Sequence, residues 1–482
     1  MGRTAFCGQL PAENRGQVGE GATGMIGELI RELGEGVGVA LPDVRVTGAD
    51  PVLPSVFRVG TAATVCVGAA TAAVAAYWRP ADPPEVLVDM RHAAVAFQSE
   101  RHFQVDGEHL DVWAPLSGDH RTRDGWVRLH CNFAHHRDAA LRALELPAGA
   151  TVEDVARACG SRTALDVEEA VTREGGGAAA MRSRAEWLAH PQARVVAERP
   201  LVALTRLPGA SGAAGPSGRD EPLKGERPLS GVRVLDLTRV IAGPVAARTL
   251  AAHGAEVLRV GAAHLPEVPG LVVETAFGKR SCHIDLRSEP ETLRDLVREA
   301  DVVIQAYRPG ALAARGFGPA DLAALRPGIV CVDISAYGSR GLWGGRRGFD
   351  SLVQMACGIA HENGDGSRPA PLPAQALDHG SGFLAAFGAV AALLRRRAEG
   401  GSWHVEVGLA RTAGWLGDLG RVDGAGIPQP SADGLLATMP SAFGALTYVR
   451  PPGLIEGAEP HWSSPPRRGE HRAEWATATG RG

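Results

Sequence analysis

An α/β architecture, a mainly parallel sheet with helices on both faces plus a smaller α+β unit, is predicted by three features of the chain. From residue 232 onward, short apolar runs alternate with segments of helical period, the order expected of a parallel sheet. Apolar residues make up 45% of 482 positions, enough for sizeable cores, and the length points to two or three domains. A stretch rich in Gly, Pro, Ser and charge at 208–228 reads as a linker between two parts of similar length.

The C-terminal part, 229–450, carries the clearest pattern. VRVLDL (232–237) reads as a buried strand, and TRVIAG follows as a loop. Pro244 suits a first helical position, and the helix PVAARTLAAHG closes on a glycine suited to its C-terminus. AEVLRV (255–260) is the next strand, followed by a helix at 289–300 and a strand at 301–307. A helix at 319–325 and a strand within 328–338 continue the alternation. Ligands of such folds sit in loops at the carboxyl ends of strands. The tail, 451–482, is dominated by Pro, Gly and charge, which predicts an irregular or extended arm.

The N-terminal part, 1–207, holds an uncharged run at 59–78, VGTAATVCVGAATAAVAAYW, of membrane-spanning length. Its Ala, Gly and Thr content favours a buried helix of a soluble protein. A repeat supports that reading: Leu53-Pro54 matches Leu372-Pro373, Thr71–Val74 matches Val390–Leu393, and EVLVDM (85–90) matches HVEVGL (404–409), all at an offset of 319. A duplicated helix–strand unit follows, and under it position 378 corresponds to Val59. DGWVRLHCNFAHHRDAALRAL then predicts a small α+β domain reaching to about residue 205.

Net charge of −4 argues against nucleic-acid or anionic-membrane binding, which use a strong basic surplus. Seven scattered cysteines, with no CxxC, indicate neither a zinc site nor a disulfide framework, and a reducing cytoplasm is expected. The first residues, MGRTAFCGQLPAENRG, lack a signal-peptide core. His130, His135 and His136 match no metal-ligand spacing, so no metal is expected.

The segment PLSGVRVLDLTRVIAGPVAARTLAAHGAEVLRV resembles the class III CoA transferases, the group of carnitine dehydratase and bile-acid-inducible protein F. The resemblance continues through FGKRSCHIDL (277–286), ADVVIQAYRPGALAARGFG (300–318), VCVDISAYGSRG (330–341) and GFDSLVQMACG (348–358). It ends in LPAQALDHGSGFLAAFGAVAALLRRRAEGGSWHVEVGL and covers most of 228–413 in the family order. It implies a Rossmann-like nucleophile domain, with 1–207 as a degenerate second copy.

CoA is a long phosphorylated anion, suited to loops that expose backbone amides and cations. Loops at 238–243, 278–280 and 307–310 contribute Arg239, Lys279, Arg280 and Arg308, which without the resemblance read rather as solvated surface cations. The resemblance makes Lys279 a basic CoA contact, Tyr307 an aromatic beside the adenine, and Val240 and Ala242 backbone lining. The family's phosphate-binding Arg falls at Ala314, so either the adjacent Arg315 substitutes or CoA binding is weakened.

Asp378 near the start of a long helix reads by itself as a cap. The resemblance makes it the nucleophile, and a helix N-terminus favours the ionised form needed for attack. Backbone amides near Gly380 are the expected oxyanion donors. No permanent cofactor is implied; an acyl-CoA and a carboxylic acid are the substrates, exchanged through aspartyl anhydride and aspartyl-CoA intermediates. An acyl-CoA racemase of the same fold would pair the Asp with a His where this chain has Phe349, and a non-catalytic acyl-CoA binder is the alternative from another class. The family forms interlocked homodimers, so the small domain is expected to pack on the nucleophile domain, between two chains or within one as a pseudo-dimer.

Overall fold

A computed structural model describes residues 20–208 and 227–476. Most of the expected linker, together with Cys7, Lys224 and the last six residues, lies outside the described residues. The central sheet has seven strands: β1 (Ala203–Arg206), β2 (Arg233–Asp236), β3 (Glu256–Gly261), β4 (Lys279–His283), β5 (Val302–Gln305), β6 (Val330–Ser335) and β7 (Trp403–Gly408). Their spatial order is β4-β3-β2-β5-β6-β7-β1. Strands β2 to β7 run parallel, and β1 closes the β7 side antiparallel. The parallel part of the sheet thus starts at β2, winds out to β4, then returns across β2 to β5. That reversal opens a crevice beyond the carboxyl ends of β2 and β5, the usual ligand position in an open parallel sheet. Strand interiors such as Val234, Leu235, Val302 and Val332 are fully buried, as layers on both faces require.

Boundaries differ from the sequence expectation in instructive places. The first crossover helix is Ala242–Ala252, so Pro244 is its third residue rather than its first. A proline there costs no intrahelical bond, because the first turn's amides are unpaired in any case. Gly254, with φ of 105°, follows the C-cap. The segment 278–280, expected as a loop, instead leads into edge strand β4, which has the exposed side of its register covered by the C-terminal arm. There His471 N donates to Ser281 O at 2.7 Å, and Trp475 is buried in the adjoining core.

Two helices, Val59–Trp78 and Ala376–Glu399, are long and apolar enough to cross a membrane by length and composition. Both are buried inside the fold, where they pack against one another in one continuous apolar core. Shifting Val59–Trp78 by 319 gives 378–397, inside the second helix, and shifting Val86–Asp89 gives 405–408, inside β7. Val59 begins its helix as a buried apolar residue.

The smaller unit carries a three-stranded antiparallel sheet, Gly118–Arg121, Trp126–Leu129 and Ala178–Ala180. Helices Ala134–Ala143, Val152–Gly160 and Ala164–Arg173 cover it, and Val127, Leu129, Leu141, Val167 and Val171 form its own core. It docks on the large sheet's carboxyl end within the same chain. Arg346 donates to Ala178 O at 3.1 Å, and Trp126 Nε1 donates to Ser367 O at 2.9 Å.

Candidate active site

The helix Ala376–Glu399 enters the crevice with its first turn, and Asp378 is its third residue. The amides of Leu377 and Asp378 are capped from a different helix: both donate to Asp350 Oδ2, at 2.8 and 3.0 Å. Asp350 opens the helix Asp350–Ala356, and its other oxygen accepts from Gln354 Nε2. The capping role that Asp378 would have played therefore belongs to Asp350. The Asp378 carboxylate, only 8% exposed, has no hydrogen-bond partner among the described residues. Gly382 lets this helix approach closely: a Cβ there would lie 2.6 Å from Ala242 O and 2.9 Å from Val245 Cβ.

Electrostatics at Asp378 run opposite to the expectation of a dipole-stabilised anion. Burial, then Asp350, then Glu100 push its carboxyl well above the ordinary aspartate range. Burial also pushes Asp350 up, to about 6, against the pull of its amide and Gln354 hydrogen bonds. Burial works on Glu100 in the same direction, but the hydrogen bond and charge of His379 outweigh it and hold Glu100 low. His379 Nε2 lies 3.0 Å from Glu100 Oε2, and its ring stacks on Phe97. Consecutive helical residues diverge, so His379 faces away from the two cavities that Asp378 lines.

Those cavities meet at Asp378, Val240, Ile241 and Phe349, which line both. The first, about 310 Å³, lies beyond the ends of β2, β5 and β6. Val240, Ala242, Tyr307 and Arg308 all line it, which brings four of the sequence-predicted residues together. Arg239, Arg346 and Arg347 line it as well, and Asp378 is the one carboxylate among its described lining residues. Arg239 lies 5.9 Å from the Tyr307 ring centroid and 5.8 Å from that of Phe133. Burial, then Arg308 and Arg239, lower the pKa of Arg347, the signature of clustered cations without a carboxylate to balance them. The N-terminus of helix Ala242–Ala252 adds its amide dipoles to the same wall. Val240 holds a φ of +76°, a left-handed conformation costly for a β-branched residue, and such strain concentrates at functional loops.

Three expected CoA contacts are not placed there. Lys279 points into the core from β4, where Nζ donates to Asp236 Oδ2 at 2.7 Å and Pro244 O at 2.9 Å. Burial lowers its pKa to about 8 despite that partner, and its ammonium is spent on structure. Strand alternation turns Arg280 outward, where it donates to Glu474 O at 2.6 Å beneath the C-terminal arm. Arg315 is exposed in the short 3₁₀ turn Ala313–Arg315, outside both cavities. The Gly380 amide is also unsuited to an oxyanion. It is the fifth residue of its helix, beyond the four amides a helix start leaves free.

The second cavity, about 350 Å³, lies between the helix Ala376–Glu399 and the small unit. Leu110, Val112, Trp113 and Leu271 form an apolar side, while Glu100, His130, Ser351 and Gln375 bring polar groups. His130 stacks flat on Phe349 at 3.6 Å between ring centroids, and burial pushes its pKa down to about 3. Residues missed by sequence reasoning fall into two kinds. Arg346 and Arg347 were detectable as a doubled arginine following a strand's carboxyl end. Glu100 was not, because its hydrogen bond to His379 spans 279 positions.

A sequence profile described as CoA-transferase family III matches residues 229–420. The chain is 34% identical over 190 residues to an acetyl-coenzyme A transferase of Hypoxylon pulicicidum, covering 38% of this chain and 32% of that protein. It is 35% identical over 193 residues to a probable fatty acyl-CoA transferase of Mycobacterium tuberculosis, covering 36% and 48%. It is 32% identical over 152 residues to the human succinyl-CoA:glutarate CoA-transferase, covering 28% and 35%. The matched segment thus spans a third to a half of these relatives' length. Among solved structures, a CAIB/BAIF family protein from Brucella suis aligns with a TM-score of 0.37 at 27% identity, covering 46% of this chain and 65% of that one. Through residues 229–420, this chain is similar to CoA-transferase family III.

Proposed function

We propose that the protein is a class III CoA transferase, moving CoA from an acyl-CoA thioester to a carboxylic acid with Asp378 as nucleophile. The carrying observation is the position of Asp378, an unpartnered buried carboxylate where an arginine-lined cavity meets a partly apolar one. The first cavity suits the phosphates of CoA and the second suits an acyl group. An Asp378 oxygen attacks the thioester carbonyl carbon, the C–S bond breaks, and CoA leaves as a thiolate, giving a mixed anhydride. The thiolate then attacks the Asp378 carbonyl carbon, which releases the donor acid and forms an aspartyl-CoA thioester. An acceptor carboxylate reverses both steps and restores the Asp378 carboxylate, so no oxidant or extra proton is consumed. Clustered arginines hold CoA close between the two attacks, which keeps the thiolate at high effective concentration. Cytoplasmic substrates, and either a homodimer or an intrachain pseudo-dimer, complete the reading.

Trapping tests it. After incubation with an acyl-CoA, hydroxylamine or borohydride should mark one peptide, the one containing Asp378. A mark elsewhere, or acyl exchange with no mark on Asp378, would remove the mechanism.

A further inference from the structure

The acyl cavity holds polar groups that a plain hydrocarbon chain would leave unsatisfied. Ser351 is 4% exposed, lines that cavity beside Asp350 and Asp378, and its Oγ has no hydrogen-bond partner among the described residues. His130, also 4% exposed, lines the same cavity, and its Nδ1 bonds to no other residue. A buried hydroxyl normally finds a partner, and an orphan beside a cavity is a group that a bound ligand would satisfy. Two neighbouring polar side chains are already committed. Asn132 is spent on Ala114, Ser117 and Val112, and Asp350 on the two capped amides and Gln354.

Resting on the transferase reading above, we propose that this cavity selects a short carboxylic acid bearing a hydroxyl group, with Ser351 as the specificity-determining residue and His130 as its partner. A substrate hydroxyl both donates and accepts, so it satisfies Ser351 Oγ and the His130 ring nitrogen together. The apolar side of Leu110, Val112, Trp113 and Leu271 takes the carbon skeleton. His130 remains neutral at physiological pH, which makes it a partner for a neutral hydroxyl rather than for a second carboxylate. A site built to hydrogen-bond a hydroxyl discriminates against the analogue that lacks it, because its polar groups are then left unpaired.

The test uses the full chain carrying Asp378→Asn, which blocks turnover, titrated calorimetrically with CoA and with matched thioester pairs. Butyryl-CoA is compared with 3-hydroxybutyryl-CoA, and propionyl-CoA with 2-hydroxypropionyl-CoA. The hydroxylated member of at least one pair should bind roughly tenfold tighter or more, and adding Ser351→Ala should shrink that ratio to within about threefold. Ser351→Thr, which keeps the hydroxyl, should retain part of the preference. Pairs that bind alike, or a preference that survives Ser351→Ala, overturn the proposal while leaving the transferase reading intact. Should Ser351→Ala not fold, the ratio in the parent chain still decides. Failure of CoA and every thioester to bind would instead defeat the transferase reading and take this proposal with it.

Discussion

At the scale of single residues, Asp378 sits where its own charge is opposed. Burial, Asp350 and Glu100 all favour the protonated form, while nucleophilic attack needs the anion. The acid limb of the acylation rate should therefore have its midpoint above the ordinary aspartate value of 3.8, measurable by single-turnover labelling across pH. The same placement has a stability consequence. A carboxyl whose pKa is raised by folding favours the folded state while protonated, and loses that contribution as pH rises through the raised value. Asp378→Asn should thus melt higher than wild type at pH 8, with the difference vanishing below the ordinary value of 3.8. Exchange should meanwhile fall by orders of magnitude. Phe349 invites a separate measurement. The family resemblance places it where a racemase of this fold would carry histidine, and burial pushes the pKa of the imidazole stacked on it, His130, down to about 3. Deuterium wash-in at the α-carbon of a 2-methylacyl-CoA should be negligible, and rapid wash-in would reassign the chemistry to epimerisation.

Among the elements, the helix Ala376–Glu399 depends on a neighbour for its start. Two of its free amides are satisfied by Asp350, and the cap is entirely buried. Asp350→Ala should cost about 2 kcal/mol by urea denaturation, the combined scale of a lost cap and unpaired buried amides. The same helix crosses Ala242–Ala252 at Gly382, where no side chain has room. Gly382→Val should cost about 3 kcal/mol from overpacking and also weaken CoA binding, because Ala242 lines the first cavity. If that variant keeps wild-type stability, the closeness of the two helices is not what positions Asp378.

For the whole molecule, one carboxylate ties the small unit to the domain of the large sheet. Glu168, 2% exposed, receives both Arg182 nitrogens at 2.8 and 2.9 Å and Arg346 at 3.0 Å. Arg182 and Ala180 N approach it from its own unit, while Arg346 comes from the loop before Phe349 and also lines the first cavity. Glu168→Gln leaves two buried guanidinium groups without their counter-charge. It should cost about 3–5 kcal/mol and lower CoA affinity as Arg346 loses its anchor. Denaturation coupled with CoA titration checks both effects; unchanged affinity with lost stability would show that docking does not shape the site.

The alternation of strands and helices in 229–450, and the segment containing Asp378, were legible in the sequence because buried strands and crossover helices have short-range patterns. The helix Pro319–Leu325 matches the expected 319–325, and Pro290–Glu299 lies within one residue of the expected ends. The same reading offered Arg308 from the loop after a strand, whereas Val240, Ala242 and Tyr307 were named only by the family resemblance. Lys279 escaped it because a cation's direction depends on which face of β4 meets Asp236, and no neighbour in sequence records that. The capping of helix Ala376–Glu399 by Asp350, the approach of Glu100, and the second cavity between two halves are likewise contacts between distant positions. Local sequence determined which elements form and in what order. Only tertiary packing decided which charges are buried, paired or left free, because burial and charge–charge distance are properties of the folded arrangement and not of the residues themselves.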